Sequence, residues 1–422
     1  MLKRFVLYIL FLIAWMGFSA YMPDPLGPVT MEQAKQAIVN WAGRQNLEIN
    51  FEGHNPHPGC YWYEFQCYKF SVYDPNPDGK YSGYISVDSF SGAVVEIERP
   101  YCMNLKPDEE ITSMISPMQA ITIAKEAAKS YFPNVPIESF EMAIDPDIIN
   151  NGAAWSEHRR RIFVYFENAI YTPSGEKVWI DVQGVTVVLN SETGEWWAIS
   201  CAYEPIEISP IPNISQEEAI QSAISFLYAL GAEYVELEDV EEVWSLAREE
   251  GGGPQKVVKG IELHQYPGVY GTYEGCGAWI KVDGHTGEVL RWTFSWGGFY
   301  PEKKKFLTLL FNGKEYKWKQ KPIVKSEGIY ISSDDVKMMG FKVAKSGKNY
   351  LISYKKGKAT IGGKDVIQVK GKLFIKSSAL EKLKGIKVKH LKEFNILNIW
   401  VMNEKSYQQG KKEREKMKTE EW

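Results

Sequence analysis

The sequence predicts an α+β fold, made of three repeated helix-plus-antiparallel-sheet modules and a separate small C-terminal α+β domain. Three observations predict it. A capped helix start occurs three times, and a strand–turn–strand motif ending in glycine follows each start. From Lys303 onwards the chain is rich in lysine and follows a different repeat. Two different motifs in the same order, three times over, indicate a repeated unit.

Each module opens with a capping box, in which a hydroxyl residue caps the helix and a Glu or Gln three residues later returns a hydrogen bond. An apolar residue precedes each cap, where it can pack as a hydrophobic staple. In the third copy, apolar residues recur every three or four positions beyond the box, which predicts a helix with one buried face. The box residues are Thr30 and Gln33, Ser116 and Gln119, and Ser215 and Glu218.

Each module closes with a hairpin whose turn has Asp or Asn first, Ser or Thr fourth and Gly fifth. Glycine suits the left-handed position of such a turn, and the first side chain can accept hydrogen bonds from backbone N–H groups within it. We therefore interpret the Asp and Asn residues as turn formers, with a catalytic role as the alternative. The turns begin and end at Asp88 and Gly92, Asn190 and Gly194, and Asp283 and Gly287.

These motifs divide the chain into six segments. Within the basic segment, a short strand, a serine-capped helix, a glycine and another strand occur twice, which sets it apart from the three modules. The segments are a signal peptide (1–20), three modules (21–104, 105–205 and 206–300), a basic domain (303–402) and a charged tail (403–422).

The first twenty residues have the three regions of a secretory signal. Lys3 and Arg4 precede an apolar run, and the small residues Ser19 and Ala20 end it. We expect cleavage there and a mature chain that is secreted or held at the cell surface. The alternative is an uncleaved anchor, in which case this segment is the part of the chain that meets the membrane.

Charge is distributed very unevenly along the chain. From Lys303 to the end there are 30 Lys and Arg against 12 Asp and Glu, a formal charge of +18. The preceding residues have 19 against 41, a formal charge of −22. Opposite charges on two parts of one chain indicate different partners for each. We expect the basic part to contact an anionic envelope polymer, and the acidic part a protein or peptide.

No familiar catalytic or nucleotide-binding motif occurs in the sequence, and no cofactor is predicted. One group of residues has the elements of a metal site, namely His54, His57, Cys60 and Cys67. The same two cysteines could instead form a disulfide, which an exported chain favours. An odd total of five cysteines leaves at least one thiol free or paired between chains.

The three modules resemble the PepSY family, whose members share a short capped helix on an antiparallel sheet that ends in an Asp-x-x-Thr-Gly hairpin. The resemblance lies in residues 30–92, 116–194 and 215–287, and covers most of residues 28–296. This chain departs from the pattern at Ser91 and Asn190. PepSY domains occur in propeptides of secreted peptidases and in envelope proteins. The resemblance therefore implies binding or inhibition, with no catalytic residue to transfer.

The basic domain resembles the module named after the N-terminus of copper amine oxidase, a stalk in many bacterial surface proteins. The resemblance lies in the run Leu309-Leu310-Phe311-Asn312-Gly313 and in the two strand–helix–Gly–strand copies. It implies no copper ligands. Two short stretches around Ser332 and Ser377 replace the usual Val-Pro-Leu-Arg.

We therefore expect an exported, non-catalytic bacterial binding protein of the cell surface or envelope. Its acidic modules would engage a protein or peptide, such as a peptidase, and its basic domain an anionic polymer other than nucleic acid. One alternative is an inhibitor or regulator of secreted peptidases. Another is a hydrolase with an unrecognised site, which a cleft holding two carboxyls of perturbed pKa would favour.

Overall fold

The protein is mainly β in the part that the structure describes. A computed structural model describes residues 28–56, 66–99, 115–144, 161–248, 253–266, 275–295, 299, 301–355 and 357–419. Strands make up 47% and helices 22% of it. Two compact units share these residues. Unit 1 contains the chain up to Ile208 and Leu246–Gln255, and unit 2 contains Ser209–Ser245 and the chain from Lys256.

The described residues of unit 1 include two long helices, α1 (Met31–Ala42) and α2 (Pro117–Tyr131), and a short 3-10 helix (Ile137–Ser139). Its strands pair antiparallel in the order β1-β2-β3-β4-β8-β7-β6-β5. They are β1 (Glu48–Pro56), β2 (Gln66–Tyr73), β3 (Gly83–Asp88), β4 (Val94–Glu98), β5 (Glu141–Ile144), β6 (Arg161–Tyr171), β7 (Lys177–Asn190) and β8 (Trp196–Tyr203).

Both helices of unit 1 contribute to a single hydrophobic core. Ala34 and Ile38 of α1 and Ala120 and Ala124 of α2 belong to it, together with alternate residues of β2, β3, β6, β7 and β8. The indole of Trp41 also connects the helices, because its Nε1 donates to the carbonyl oxygen of Tyr131 at 3.1 Å. The alternation of buried residues along the strands is that of a sheet with one face on the core.

Unit 2 begins with the long helix α3 (Gln216–Leu230) and the strand β9 (Tyr234–Val240). The next strand, β10 (Trp244–Arg248), is divided in sequence between the two units. Three more strands follow, namely β11 (Gln255–Tyr266), β12 (Cys276–Asp283) and β13 (Val289–Phe294). In unit 2 their antiparallel order is β9-β11-β12-β13.

The lysine-rich part of unit 2 forms three small sheets, of which two have four strands and one has three. The first contains β14 (Thr308–Phe311), β15 (Lys314–Tyr316), β23 (Ile386–Leu391) and β24 (Ile396–Val401). The second contains β16 (Ile323–Lys325), β17 (Gly328–Ser332), β21 (Val366–Val369) and β22 (Lys372–Lys376). The third contains β18 (Lys342–Ser346), β19 (Asn349–Tyr354) and β20 (Gly357–Ile361).

The described residues of unit 2 also include two α-helices and two 3-10 helices in the lysine-rich part and beyond it. They are α4 (Ser333–Met338), α5 (Glu404–Thr419) and the short helices Gly363–Asp365 and Ser377–Lys382. One core is lined by all three small sheets. The segment predicted as a charged tail, residues 403–422, is thus helical over most of its length.

The predicted fold class is wrong. The described residues are mainly β, and their strands form large sheets instead of repeated helix-plus-sheet modules. In unit 1 the first two helix–hairpin segments share a sheet, since Glu96 of β4 lies opposite Ser200 of β8. In unit 2, Tyr234 and Leu310 lie in one apolar cluster, so the lysine-rich part is not a separate α+β domain. Alternation in a sequence shows which face of a strand is buried, whereas its neighbours depend on distant residues.

Among the described residues, no helix combines the length and the apolar composition needed to cross a membrane. The predicted signal segment, residues 1–20, lies outside them.

Candidate functional site

A sheet with many lysines is the most strongly charged element of unit 2. Between Asp335 and Asp365 the sequence has eight lysines and no acidic residue. The strands β18, β19 and β20 lie within this stretch. We call residues 342–361 the lysine sheet. Because no carboxylate of its own sequence offsets these charges, its outer surface is a candidate site for anions.

The two faces of the lysine sheet have different compositions. Apolar and aromatic residues of one face pack on the unit 2 core, namely Val343, Tyr350, Ile352, Tyr354, Ala359 and Ile361. On the open face, Lys342 of β18 lies opposite Ser353 of β19, and Ser353 lies opposite Lys358 of β20. Both lysines are exposed and Ser353 is half-buried. The sheet therefore presents two lysines on either side of a hydroxyl.

Several lysines of the sheet have no acidic partner among the described residues, namely Lys342, Lys345, Lys348 and Lys358. Others in residues 303–402 are neutralised locally. Ion pairs join Lys304 to Glu315 at 3.6 Å, Lys325 to Glu327 at 3.7 Å, Lys382 to Asp365 at 2.6 Å and Lys389 to Glu233 at 3.3 Å. The lysine sheet therefore presents unpaired positive charge, as do other exposed lysines of this region such as Lys317, Lys372 and Lys387.

The hairpin between β19 and β20 attaches the lysine sheet to the first turn of α3. The hydroxyl of Tyr354 lies 3.4 Å from the Glu217 carboxylate, and Lys355 Nζ lies 3.5 Å from Gln221 Oε1. Burial, and then the Glu217 charge, raises the pKa of Tyr354 to about 12. The hydroxyl thus stays protonated and can donate to Glu217 at neutral pH. This contact fixes one end of the sheet.

Unit 1 contains a cavity of about 110 Å³. Its walls include Val94, Val95, Phe132, Val135 and Tyr203. Pockets for small-molecule ligands usually measure about 300–1,000 Å³. Since one water molecule takes up about 30 Å³ of liquid, this cavity suits a few waters or one side chain.

The polar groups beside this cavity are mostly engaged with one another. Arg248 Nε donates to Glu204 at 2.7 Å and its Nη2 donates to Glu207 at 2.7 Å. Burial raises the pKa of the Cys201 thiol to about 12, so this cysteine is not an activated nucleophile. The cavity is thus an apolar recess, and the charged side chains at its edge are paired with each other.

Among the described carboxyls of unit 1, Glu96 has the most strongly raised pKa, and it does not line this cavity. Burial, and then the neighbouring Glu98 charge, raises its pKa to about 7. Ser86 Oγ lies 3.0 Å from the Glu96 carboxyl and offsets part of this effect. Cross-strand register places Glu96 between Ser86 of β3 and Ser200 of β8. This row of polar residues lies within the sheet of unit 1.

The residues of the capping boxes lie at the starts of α1, α2 and α3. Each cap side chain accepts a hydrogen bond from the N–H three residues later, at 3.2 Å in α1 and 3.3 Å in α2 and α3. The return bonds are also present. The pairs are Thr30 with Gln33, Ser116 with Gln119, and Ser215 with Glu218. These residues shape helix ends and do not converge on one site.

The residues of the three hairpin turns are used within their own turns. Asp88, Asn190 and Asp283 each accept a backbone hydrogen bond two residues on, at 2.7, 2.8 and 2.7 Å. Their carbonyl oxygens accept from Gly92, Gly194 and Gly287, whose φ angles of 71°, 74° and 72° are left-handed. Lys256 Nζ also lies 3.4 Å from the Asp283 carboxylate. The Asp and Asn side chains for which catalysis was the alternative are therefore hydrogen-bonded within their turns.

Two members of the predicted metal or disulfide group lie on neighbouring strands. His54 is exposed on β1 and lies opposite Tyr68 of β2. Cys67, the residue before Tyr68, is buried. His57 and Cys60 lie outside the described residues, as therefore does the predicted disulfide. Within the described residues there is no cluster of three or more His, Cys, Asp or Glu suited to a metal ion.

The sequence prediction did not single out Lys342, Ser353 or Lys358. It counted charge over the whole segment from Lys303. Such a count cannot show that Lys382 pairs with Asp365 and Lys389 with Glu233. The signal that could have identified the sheet is the absence of acidic residues between Asp335 and Asp365.

The comparisons with known proteins leave the family open. The chain matches no protein-family model and no curated protein. Among solved structures it is similar to the Bacillus megaterium YpeB C-terminal domain, with 15% sequence identity and a TM-score of 0.24. That similarity covers 64% of this chain and 100% of the other. A TM-score of this size is too low to assign a fold or a function to this chain.

Proposed function

We propose that this chain is an exported, non-catalytic binding protein of the bacterial cell surface or envelope. Its basic part contacts an anionic envelope polymer. One observation supports this most directly: the lysine sheet bears exposed lysines with no acidic partner in the described residues. The formal charge of +18 from Lys303 onwards gives the surrounding surface the same sign.

Exposed lysines on such a surface attract anions electrostatically, with no fixed direction of contact. Near an anionic surface each exposed lysine contributes about 1 kcal/mol to binding. Several lysines acting together therefore give useful affinity without a pocket. Salt screens exposed charges over about 10 Å at 0.1 M, so binding of this kind should weaken steeply as salt rises.

The acidic part, by the same proposal, engages a protein or peptide. The cavity of unit 1 supports this, because its volume suits one apolar side chain better than a free substrate. The PepSY-like relationship of the three helix–hairpin segments and the stalk-like relationship of residues 303–402 also belong to this proposal. They rest on the capping boxes, the glycine-ended turns and the lysine-rich repeat. A secreted peptidase is one partner of this kind.

Co-sedimentation of the full chain with cell-envelope material tests the polymer-binding function. We expect binding at about 0.05 M salt and release at about 0.5 M, since the Debye length falls several-fold between them. A neutral polysaccharide of similar length is the control and should not retain the chain. Binding that stays constant over this range of salt would contradict the proposal.

A further inference from the structure

The open face of the lysine sheet arranges its charges in a line across the strands. Lys342, Ser353 and Lys358 occupy matching positions on three adjacent strands. Because adjacent strands are about 4.8 Å apart, the two lysine Cα atoms are about 10 Å apart. The half-buried hydroxyl between them can donate or accept a hydrogen bond. This arrangement suits a ligand that crosses the strands and bears charges at intervals.

The basic residues of this region are of one kind. Between Lys303 and Met402 the sequence has lysine and no arginine. Arginine presents a planar fork that matches two oxygens of a carboxylate or a phosphate, whereas lysine acts as a compact point charge and is also a common partner of phosphate. Lys342 and Lys358 can therefore each bind one anionic oxygen from many directions. Such lysines can bind the tetrahedral oxygens of a phosphate without a planar two-point contact.

The open face also lacks the groups that bind nucleobases. Proteins that hold single-stranded nucleic acid combine a basic groove with aromatic side chains on which bases stack. In the lysine sheet the aromatic residues are Tyr350 and Tyr354, and both pack on the core side. Beside the lysine row the open face has the aliphatic residues Ala344 and Leu351. The face is thus suited to a phosphate chain without bases.

We propose that the lysine sheet binds a linear polyol phosphate polymer, with Lys342 and Lys358 each contacting a different phosphodiester of one chain. This inference rests on the proposed function and specifies its ligand and its residues. Two contacts on one chain make binding multivalent, because the second phosphate is held near its lysine once the first is bound. A single phosphate monoester gains no such advantage.

The test measures binding of the full chain to linear poly(glycerol phosphate) as a function of salt. The variant is Lys342→Ala/Lys358→Ala. The matched control is Lys325→Ala/Lys382→Ala, which removes the same charge from two lysines already paired with Glu327 and Asp365. All four side chains are exposed, so both proteins should fold. Thermal unfolding checks this, above all for the control, in which the nearly buried Asp365 loses its partner.

We expect the Lys342/Lys358 variant to bind about tenfold or more weakly at low salt, from the usual contribution of two exposed lysines. Its salt dependence should also flatten. On a double logarithmic plot the slope should fall by about 1.4, since each contact to a single-stranded polyanion contributes about 0.7. The control should stay within about twofold of the unmodified chain, because its lysines are already neutralised.

Other results would overturn the inference in distinguishable ways. Equal losses in the variant and the control would show that overall charge binds the polymer, which leaves the proposed function intact. Inhibition by glycerol 3-phosphate as strong per phosphate as by the polymer would exclude a two-point contact. Equal affinity for single-stranded DNA would exclude selection of a base-free chain. Failure of the unmodified chain to bind any anionic polymer would remove the proposed function itself.

Discussion

Two helices with matching starts, α2 in unit 1 and α3 in unit 2, differ greatly in burial. Each has 15 residues and begins with a capping box. In α2 the buried residues are Ala120, Ala124, Ala127, Ala128 and Tyr131, as expected for one apolar face. In α3 every residue from Ala219 to Leu230 is buried. Similar local sequences have therefore acquired different environments.

The C-terminal helix α5 packs against α3 and buries part of its surface. Gly410 of α5 lies so close to α3 that a Cβ atom there would be 2.6 Å from the Phe226 carbonyl oxygen and 2.8 Å from the Ala229 Cβ. Polar groups on the covered side are also satisfied. The N–H of Asn403 donates to Ser225 Oγ at 2.8 Å, and its side-chain amide donates to Ser222 Oγ at 2.8 Å. Small and hydroxyl side chains on α3 thus allow a second helix to approach.

The largest effect should come from replacing Gly410 with leucine. The added side chain has no space beside Phe226 and Ala229, so α5 must move away from α3. We expect unit 2 to lose about 3 kcal/mol or more of unfolding free energy, a cost typical of severe overpacking. This loss should exceed the gain of up to about 1 kcal/mol from removing a helical glycine. Hydrogen exchange along α3 measures the change.

The control for this substitution is Lys411→Leu on the same helix. Lys411 is exposed, so an added apolar side chain there meets no backbone. Its stability should change by less than about 0.5 kcal/mol. If Gly410→Leu were equally mild, the close contact between α5 and α3 would not be the reason for the burial of α3.

A second difference concerns buried polar groups. In unit 2 the buried polar groups of α3 are neutral serines that have hydrogen-bond partners. Unit 1 instead buries the carboxyl of Glu96, and this burial raises its pKa from 4.5 to about 7. Its neighbours are Ser86, Ser200, Glu98 and Lys69, and Lys69 is paired with Glu98 at 2.7 Å. A raised carboxyl pKa favours the protonated folded state. Unit 1 should therefore lose stability as pH rises from about 4.5 to about 7, and little further above that.

The variant Glu96→Gln keeps the shape of the side chain and removes this titration. At pH values below about 4.5 it should be about as stable as the unmodified chain, and above pH about 7 more stable by up to about 3 kcal/mol. Hydrogen exchange in β3 and β4 at several pH values checks this. Glu195→Gln, at an exposed position, is the control and should not change the pH dependence. Parallel pH profiles for unmodified and Glu96→Gln chains would contradict the expectation.

The features that the sequence predicted well are local. Ser116 and Gln119 are three residues apart, and Asn190 and Gly194 are four apart, so their hydrogen bonds depend on a single turn of chain. The sheet pairing of Glu96 with Ser200 joins residues about a hundred positions apart, and neither strand specifies the other. The approach of Gly410 to Phe226 joins residues that are still further apart in the sequence. The predicted α+β modules failed because such contacts were not visible.

For the candidate site, too, the sequence showed the local composition but not the contacts between separate strands. Its charge was visible in the sequence, because lysine is abundant from Lys303 onwards. The alignment of Lys342 with Lys358 requires the register of β18, β19 and β20, which the alternation of Ile352 and Ser353 alone does not determine. Composition therefore predicted an anionic partner, and the register shows which lysines lie on one face of the sheet.

The smallest predicted change in stability comes from substitutions at equivalent positions of α2 and α3, which test how well each helix is covered. Ser225 of α3 and Glu126 of α2 lie ten residues beyond their respective N-caps, Ser215 and Ser116. Ser225 is fully buried and donates to the Gln221 carbonyl at 2.6 Å, whereas Glu126 is exposed. Ser225→Val leaves the N–H of Asn403 without its acceptor and should cost about 1–3 kcal/mol. Glu126→Val should change stability by less than about 0.5 kcal/mol. Chemical denaturation of both variants measures the difference, and equal costs would mean that α3 is no better covered than α2.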